Sequence, residues 1–227
     1  MKLYLDTGMV EEIQTVAQSR ILDGVTTNPS LIAKTGKDFI DTLKEIHLIL
    51  KQYCPKDFTF SAEVIDTSSV DSIIKEGRAY AKISKNILVK VPLTKIGLEA
   101  VTLLSREGIR CNVTLCFSAN QALLAAKSGA WCVSPFLGRV DDEGYDGVEL
   151  IREIKKMYDH YGFETKILAA SVRSPHHVHE CAQLGCDIAT IPKSVFDKLY
   201  YNPLTDMGLE KFQSDWDSYT KNLGGGK

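Results

Sequence analysis

Eight short apolar runs recur along the chain, each followed by a longer stretch whose apolar residues fall three and four positions apart. The runs are Lys2 to Asp6, Gly24 to Thr27, Phe58 to Val64, Ile87 to Val91, Ile109 to Thr114, Trp131 to Phe136, Lys166 to Ser171 and Asp187 to Pro192. Short apolar runs bounded by turn residues read as buried strands, and the periodic stretches between them as amphipathic helices. That alternation implies a parallel sheet. Eight units favour an α/β fold closed into an eight-stranded parallel β/α (TIM) barrel. An open doubly wound sheet should carry a G-x-G-x-x-G loop after an early strand, and none is present.

Helix ends are also legible. Ser118 with Gln121 has capping-box spacing, Ser174-Pro175 places proline at a first helical position, and Thr94 precedes Leu98, Val101 and Leu104 as an N-cap. Gly108, Gly129 and Gly185 close helical patterns where left-handed caps are wanted. The 227 residues are expected to divide into a single β/α barrel domain over 1–202, an extra helix over 203–223 and a flexible tail over 224–227. That extra helix carries Leu209, Phe212, Trp216 and Tyr219 on one stripe, which must be buried on its own barrel or on a neighbouring subunit.

A formal charge of -2 gives no reason to expect nucleic acid or an anionic membrane as partner. The start of the chain meets Asp6 before a signal-peptide core could form, and no segment is apolar enough to span a bilayer. A soluble cytoplasmic protein is expected. The six cysteines show no C-x-x-C pair and mostly lie in apolar runs, as reduced core thiols do. His176 and His179 would share a helical face with Cys181 nearby, but the H-E-x-x-H spacing and an obvious fourth ligand are missing. A solvated helix face is expected there, with no metal.

The run Asn86-Ile87-Leu88-Val89-Lys90-Val91-Pro92 places an amine inside a buried strand. An ammonium among apolar side chains is costly unless it is paired or loses its proton. Lys90 is therefore either a nucleophile able to form a Schiff base or a structural lysine held by a carboxylate. In a β/α barrel the site lies at the carboxyl ends of the strands, so polar residues ending the runs are the candidates. These are Asp6, Thr27 and Asn28, Glu63, Lys90, Asn112 and Thr114, Ser134 with Arg139 beyond it, and Ser171 with Arg173.

Each has a plainer reading. Asp6 and Asn28 could cap helices. Glu63 could serve only to pair a buried Lys90. Asn112, Thr114 and Ser134 could be satisfied by backbone. Arg139, beside Asp141 and Asp142, could form a surface ion pair. As a set they match a retro-aldol reaction on a phosphorylated sugar: an amine as electron sink, a carboxylate to take a hydroxyl proton, and guanidiniums to bind phosphate.

Asp6, Gly24-Val25-Thr26-Thr27-Asn28-Pro29-Ser30, Val89-Lys90-Val91-Pro92, Ser134-Pro135-Phe136-Leu137-Gly138-Arg139 and Ala170-Ser171-Val172-Arg173 together resemble the transaldolase family. Its small members, which include the fructose-6-phosphate aldolases, are the nearest match, in order from about residue 1 to 220. The resemblance implies a Schiff-base lysine at Lys90, an acid/base at Asp6, and a proton-shuttling water held by Glu63 and Thr114. It further implies that Asn28 and Asn112 bind the dihydroxyacetone unit, that Arg139, Ser171 and Arg173 bind phosphate, and that Thr27, Ser134 and Phe136 line the site. No cofactor is implied, and the small members form pentamers and decamers.

The aldolase branch has Tyr where this chain has Phe136 and Gln where it has Glu63. A phenol can deliver a proton to the enamine and free dihydroxyacetone; a phenyl ring cannot. The expected activity is therefore that of a transaldolase of the pentose phosphate pathway, moving a dihydroxyacetone unit from sedoheptulose 7-phosphate or fructose 6-phosphate to glyceraldehyde 3-phosphate or erythrose 4-phosphate. The alternatives are an aldolase releasing free dihydroxyacetone and a non-catalytic phosphosugar-binding protein.

Overall fold

A computed structural model describes residues 1–224 of the chain. Eight parallel strands close into a barrel in sequence order: β1 (Lys2–Asp6), β2 (Gly24–Thr26), β3 (Thr59–Glu63), β4 (Ile87–Pro92), β5 (Cys111–Cys116), β6 (Cys132–Pro135), β7 (Lys166–Ala169) and β8 (Ile188–Ile191). The expected barrel is borne out, and each expected run overlaps its strand, with the ends differing by at most two residues. Around it lie α1 (Val10–Ala17), α2 (Pro29–Ala33), α3 (Phe39–Tyr53), α4 (Val70–Ile83), α5 (Lys95–Arg106) and α6 (Ala119–Lys127). The layer continues with α7 (Leu137–Asp142), α8 (Gly147–Tyr161), α9 (Pro175–Gln183) and α10 (Lys193–Lys198). A last helix, α11 (Pro203–Gly224), follows the barrel.

The cap signals act as read. Ser118, Ser174 and Thr94 accept from the backbone N–H groups of Gln121, His177 and Gly97, while Gly108, Gly129 and Gly185 adopt φ of 77°, 80° and 74°. The Gln121 side chain accepts from Phe117 N–H, one residue ahead of the cap. Of the tail expected over 224–227, Gly224 ends α11 and the rest lies outside the described residues.

Strand side chains alternate between the helix layer and the barrel interior, with period two. Outward residues such as Leu5, Val25, Phe60, Val89, Val91, Val113 and Val133 pack on the helices and form the main core. Fully burying one such aliphatic side chain contributes about 1.5–3 kcal/mol. Inward residues Tyr4, Leu88, Cys132, Leu168, Ala170 and Ile188 form a second cluster that fills the barrel. Gly24 makes room for it: a Cβ there would meet the Tyr4 ring at 2.7 Å and the Thr59 carbonyl oxygen at 2.3 Å.

Continuing the inward series toward the carboxyl ends gives Asp6, Thr26, Lys90, Thr114, Ser134 and Thr190, with Glu63 on the odd-numbered phase of β3. The interior thus turns from apolar to polar along the barrel axis. β5 interrupts the phase. Val113 and Cys116 both belong to the helix-side core although three positions apart, and the register with β6 shifts between them. The extra residue is Leu115, at φ 59°. A non-glycine residue held there costs about 1–3 kcal/mol, and bulges of this kind recur beside active sites.

Among the described residues no helix is long and apolar enough to cross a membrane. On α11, Leu209, Phe212, Trp216 and Tyr219 are 62%, 71%, 60% and 54% exposed, so the stripe is not covered by its own barrel.

Candidate active site

Adjacent strands bring the charged pair together. Glu63 and Lys90 are register partners across β3 and β4, so both side chains rise on the same interior face. Lys90 Nζ lies 2.8 Å from Glu63 Oε2, with the two side chains 7% and 13% exposed. It also donates to the Thr27 carbonyl at 3.2 Å. The amine therefore has both an ionic partner and a backbone acceptor in a site nearly closed to solvent. By contrast, burial pushes the Cys111 and Cys116 thiols up to about 12, which leaves them poor nucleophiles.

Asp6 is placed by the neighbouring pair of strands. It is the register partner of Thr26, whose hydroxyl donates to Asp6 Oδ1 at 2.7 Å and also meets the Thr190 hydroxyl at 2.6 Å. Desolvation raises the Asp6 pKa above its ordinary value, while the Thr26 hydrogen bond and the Lys90 charge pull it back. A carboxylate so raised is a stronger base, closer in pKa to what proton transfer at neutral pH demands.

Two adjoining cavities open here. The smaller, of about 140 Å³, is lined by Asp6, Thr26, Asn28, Lys90, Ser134, Phe136, Arg139, Ser171 and Thr190, among others. The larger, of about 380 Å³, shares Asn28, Lys90, Phe136 and Arg139 and adds Pro29, Ser30, Leu31, Glu63, Thr114 and Leu115. Lys90 thus sits on the wall between them. The Thr114 and Thr27 hydroxyls are buried and have no hydrogen-bond partner among the described residues, an arrangement suited to contacts made by substrate or water.

Other candidates divide into those on the cavity wall and those behind it. Asn28 does cap α2, accepting from Leu31 N–H at 2.9 Å, and it lines both cavities as well. Asn112 stands behind the wall. Its amide donates to Ser61 at 3.0 Å and its carbonyl accepts from Ser134 at 2.7 Å, so it orients Ser134. Arg139 lies over the Phe136 ring at 5.2 Å and lines both cavities, and the surface pair with Asp141 or Asp142 that its position suggested does not form.

Those carboxylates pair elsewhere: Arg173 meets Asp142 at 2.8 Å and His177 meets Asp141 at 3.3 Å. Arg173 is therefore turned along the rim and does not line either cavity, whereas Ser171 does. The Gly138 N–H donates to the Ser171 carbonyl at 3.0 Å, and a Cβ on Gly138 would lie 2.6 Å from Arg173 Cγ. Glycine is required there for the rim of β6 to close on that of β7. Sequence reading missed Thr26, Thr190 and Leu115. Period two places the threonines on the inward face, but only the register of β1 with β2 and β8 sets them beside Asp6; the bulge left no signal.

Fold and site together define a β/α-barrel protein built around a buried lysine paired with a carboxylate at the carboxyl ends of its strands. The chain belongs to the transaldolase/fructose-6-phosphate aldolase family, whose model matches residues 3–223. It is 52% identical over 221 residues to the probable transaldolase of Methanococcus vannielii, covering 97% of this chain and 100% of that protein. It is 53% identical over 215 residues to the probable transaldolase of Leptospira biflexa, covering 95% and 97%. Among solved structures, the thiamine phosphate pyrophosphorylase from Pyrococcus furiosus superposes with a TM-score of 0.58 at 17% identity, covering 84% of this chain and 85% of that one. That likeness concerns the barrel alone.

Proposed function

We propose that Lys90 carries a ketose phosphate as a Schiff base and that Asp6 cleaves and remakes its C3–C4 bond. The chain is an enzyme, a transaldolase. In the proposed cycle Glu63 accepts a proton from Lys90, and the freed amine attacks the C2 carbonyl of the sugar. Loss of water, with Glu63 and Thr114 handling its protons, gives the protonated imine. Asp6 then takes the C4 hydroxyl proton, the C3–C4 electron pair flows to the imine nitrogen, and an aldose phosphate leaves. The remaining enamine adds to the aldehyde carbon of a second aldose phosphate, Asp6 returns its proton to the new hydroxyl, and hydrolysis frees the ketose and Lys90.

Arg139 and Ser171 face the cavity and suit the phosphate, with Arg173 near them on the rim. Sugar phosphates such as sedoheptulose 7-phosphate and fructose 6-phosphate are the proposed donors, placing the enzyme in the pentose phosphate pathway. The observation that carries the reading is the 2.8 Å contact between Lys90 and Glu63, with Lys90 lining both the cavity that holds Glu63 and the adjoining one that holds Asp6. Coupled assay of fructose 6-phosphate, with and without erythrose 4-phosphate, tests it. Turnover should need the acceptor and vanish in Lys90→Met, whereas acceptor-independent release of dihydroxyacetone would make the enzyme an aldolase. Binding without turnover would make it a phosphosugar-binding protein.

Self-association is part of the proposal. The exposed stripe on α11 calls for an apolar partner, and a second copy of this chain, in a pentamer or decamer, supplies one. Sedimentation of Phe212→Glu should show smaller particles; an unchanged size would remove α11 from the interface. The six unpaired cysteines suit a reducing compartment, in keeping with a cytoplasmic location.

A further inference from the structure

Three non-glycine residues among those described have positive φ: Arg20, Leu115 and Ser171. Arg20 lies in the turn between α1 and β2, at the end of the barrel remote from the cavities. The other two lie at the mouth. Ser171 already has a place in the proposed phosphate site; Leu115 has none. Its left-handed conformation would suit glycine, asparagine or aspartate without strain, so an aliphatic residue there must be held by its surroundings.

The bulge explains what that strain accomplishes. Strict alternation would send Leu115 into the helix layer and Cys116 into the barrel. With one residue inserted, Cys116 is fully buried on the helix side instead. Leu115 is left on the wall of the larger cavity with Glu63, Lys90, Thr114 and Phe136. The same bulge seats Phe136, whose N–H donates to the Cys116 carbonyl at 3.0 Å. Phe117 packs edge-on against Phe136 from outside, with ring centroids 5.7 Å apart. Leu115 and Phe136 thus give the cavity apolar lining on the β5 and β6 side, in the same cavity as the lysine.

We propose that Leu115 is a specificity-determining residue: with Phe136 it keeps water from the nucleophilic carbon of the three-carbon enamine on Lys90, so that the unit is transferred and not released. The proposal rests on the Schiff-base reading above and deepens it. Two fates compete for the enamine. In transfer, its nucleophilic carbon bonds to the aldehyde carbon of the acceptor, whose oxygen takes a proton, and the nitrogen becomes an imine nitrogen. In release, that carbon takes a proton from water. The resulting hydroxide adds to the imine carbon, the C–N bond breaks, and dihydroxyacetone leaves with the Lys90 amine restored. One water is consumed and no redox partner is needed. Excluding water from a reactive intermediate suppresses such proton leakage.

The test compares the wild-type enzyme with Leu115→Gly, Leu115→Asn and Leu115→Met. Glycine and asparagine fit the left-handed backbone while opening or wetting the wall, and methionine keeps it apolar. Each protein is checked for native circular dichroism and for borohydride labelling of Lys90 in the presence of fructose 6-phosphate. Free dihydroxyacetone formed per transfer to erythrose 4-phosphate is then measured. The ratio should rise about 3- to 10-fold in the glycine and asparagine variants and stay at the wild-type value in Leu115→Met, with labelling retained throughout. An unchanged ratio in labelled Leu115→Gly and Leu115→Asn overturns the proposal. So does loss of labelling in a folded variant, which would make Leu115 a determinant of imine formation. If the wild-type enzyme itself fails to label, the Schiff-base reading fails and takes this proposal with it.

Discussion

Removing the charge of Glu63 while keeping its shape isolates what the buried pair contributes. In Glu63→Gln the Lys90 side chain, 7% exposed, keeps the Thr27 carbonyl and an amide oxygen but loses its counter-charge. Removing one partner of a buried pair costs about 3–5 kcal/mol, because the other charge stays in the protein without compensation. For a chain of this size each kcal/mol shifts the thermal midpoint by about 2–4 °C, so about 3 kcal/mol predicts a fall of roughly 6–12 °C. Both side chains are shielded, so the fall should persist at high salt. Adding Lys90→Met removes the stranded ammonium, and the double variant should recover most of the lost stability. Differential scanning calorimetry of the two variants and the wild-type enzyme, at low and high salt, measures this. A Glu63→Gln midpoint within about 2 °C of wild type, or losses that simply add, would refute a paired, desolvated lysine.

Asp6→Asn should separate stability from catalysis. In the unfolded chain the carboxyl ionises near its ordinary value of about 3.9, and in the fold burial raises it. Between those two values the native state binds more protons, so stability falls as pH rises through the window, and the penalty remains above it. Asn removes that penalty and keeps an acceptor for Thr26. Its thermal midpoint should exceed wild type at neutral pH and lose that advantage on acidification below the unfolded value, while transfer falls about 100-fold or more. Asp142→Asn frees Arg173 from an exposed pair worth at most about 1 kcal/mol. The KM for a phosphorylated donor should fall up to about fivefold, with kcat and the KM for an unphosphorylated ketose unchanged. A rise in KM would mean that Asp142 orients Arg173 toward substrate.

The barrel was legible because its strands are apolar runs separated by well-capped helices, and Lys90 because an amine inside such a run breaks the pattern. Glu63 followed from the need to compensate it. What escaped was information that register alone carries. Thr26 and Thr190 are ordinary strand residues until β1 is seen beside β2 and β8, and only then do they become the support of Asp6. The partners of Asp141 and Asp142 are not legible from proximity in sequence, since closure of the β6 and β7 rims brings Arg173 and His177 closer than Arg139. The bulge at Leu115 changes strand phase by a single residue, and an apolar side chain gives no hint of a left-handed backbone.

The central claim is that the Lys90 amine bonds covalently to the sugar ketone. Incubation with fructose 6-phosphate and sodium borohydride, followed by peptide mass spectrometry, tests it directly. The account predicts a reduced three- or six-carbon adduct on Lys90 and on no other lysine, with parallel loss of transfer activity. An intact Lys90 in a fully inactivated enzyme, or an adduct confined to another lysine, would contradict it.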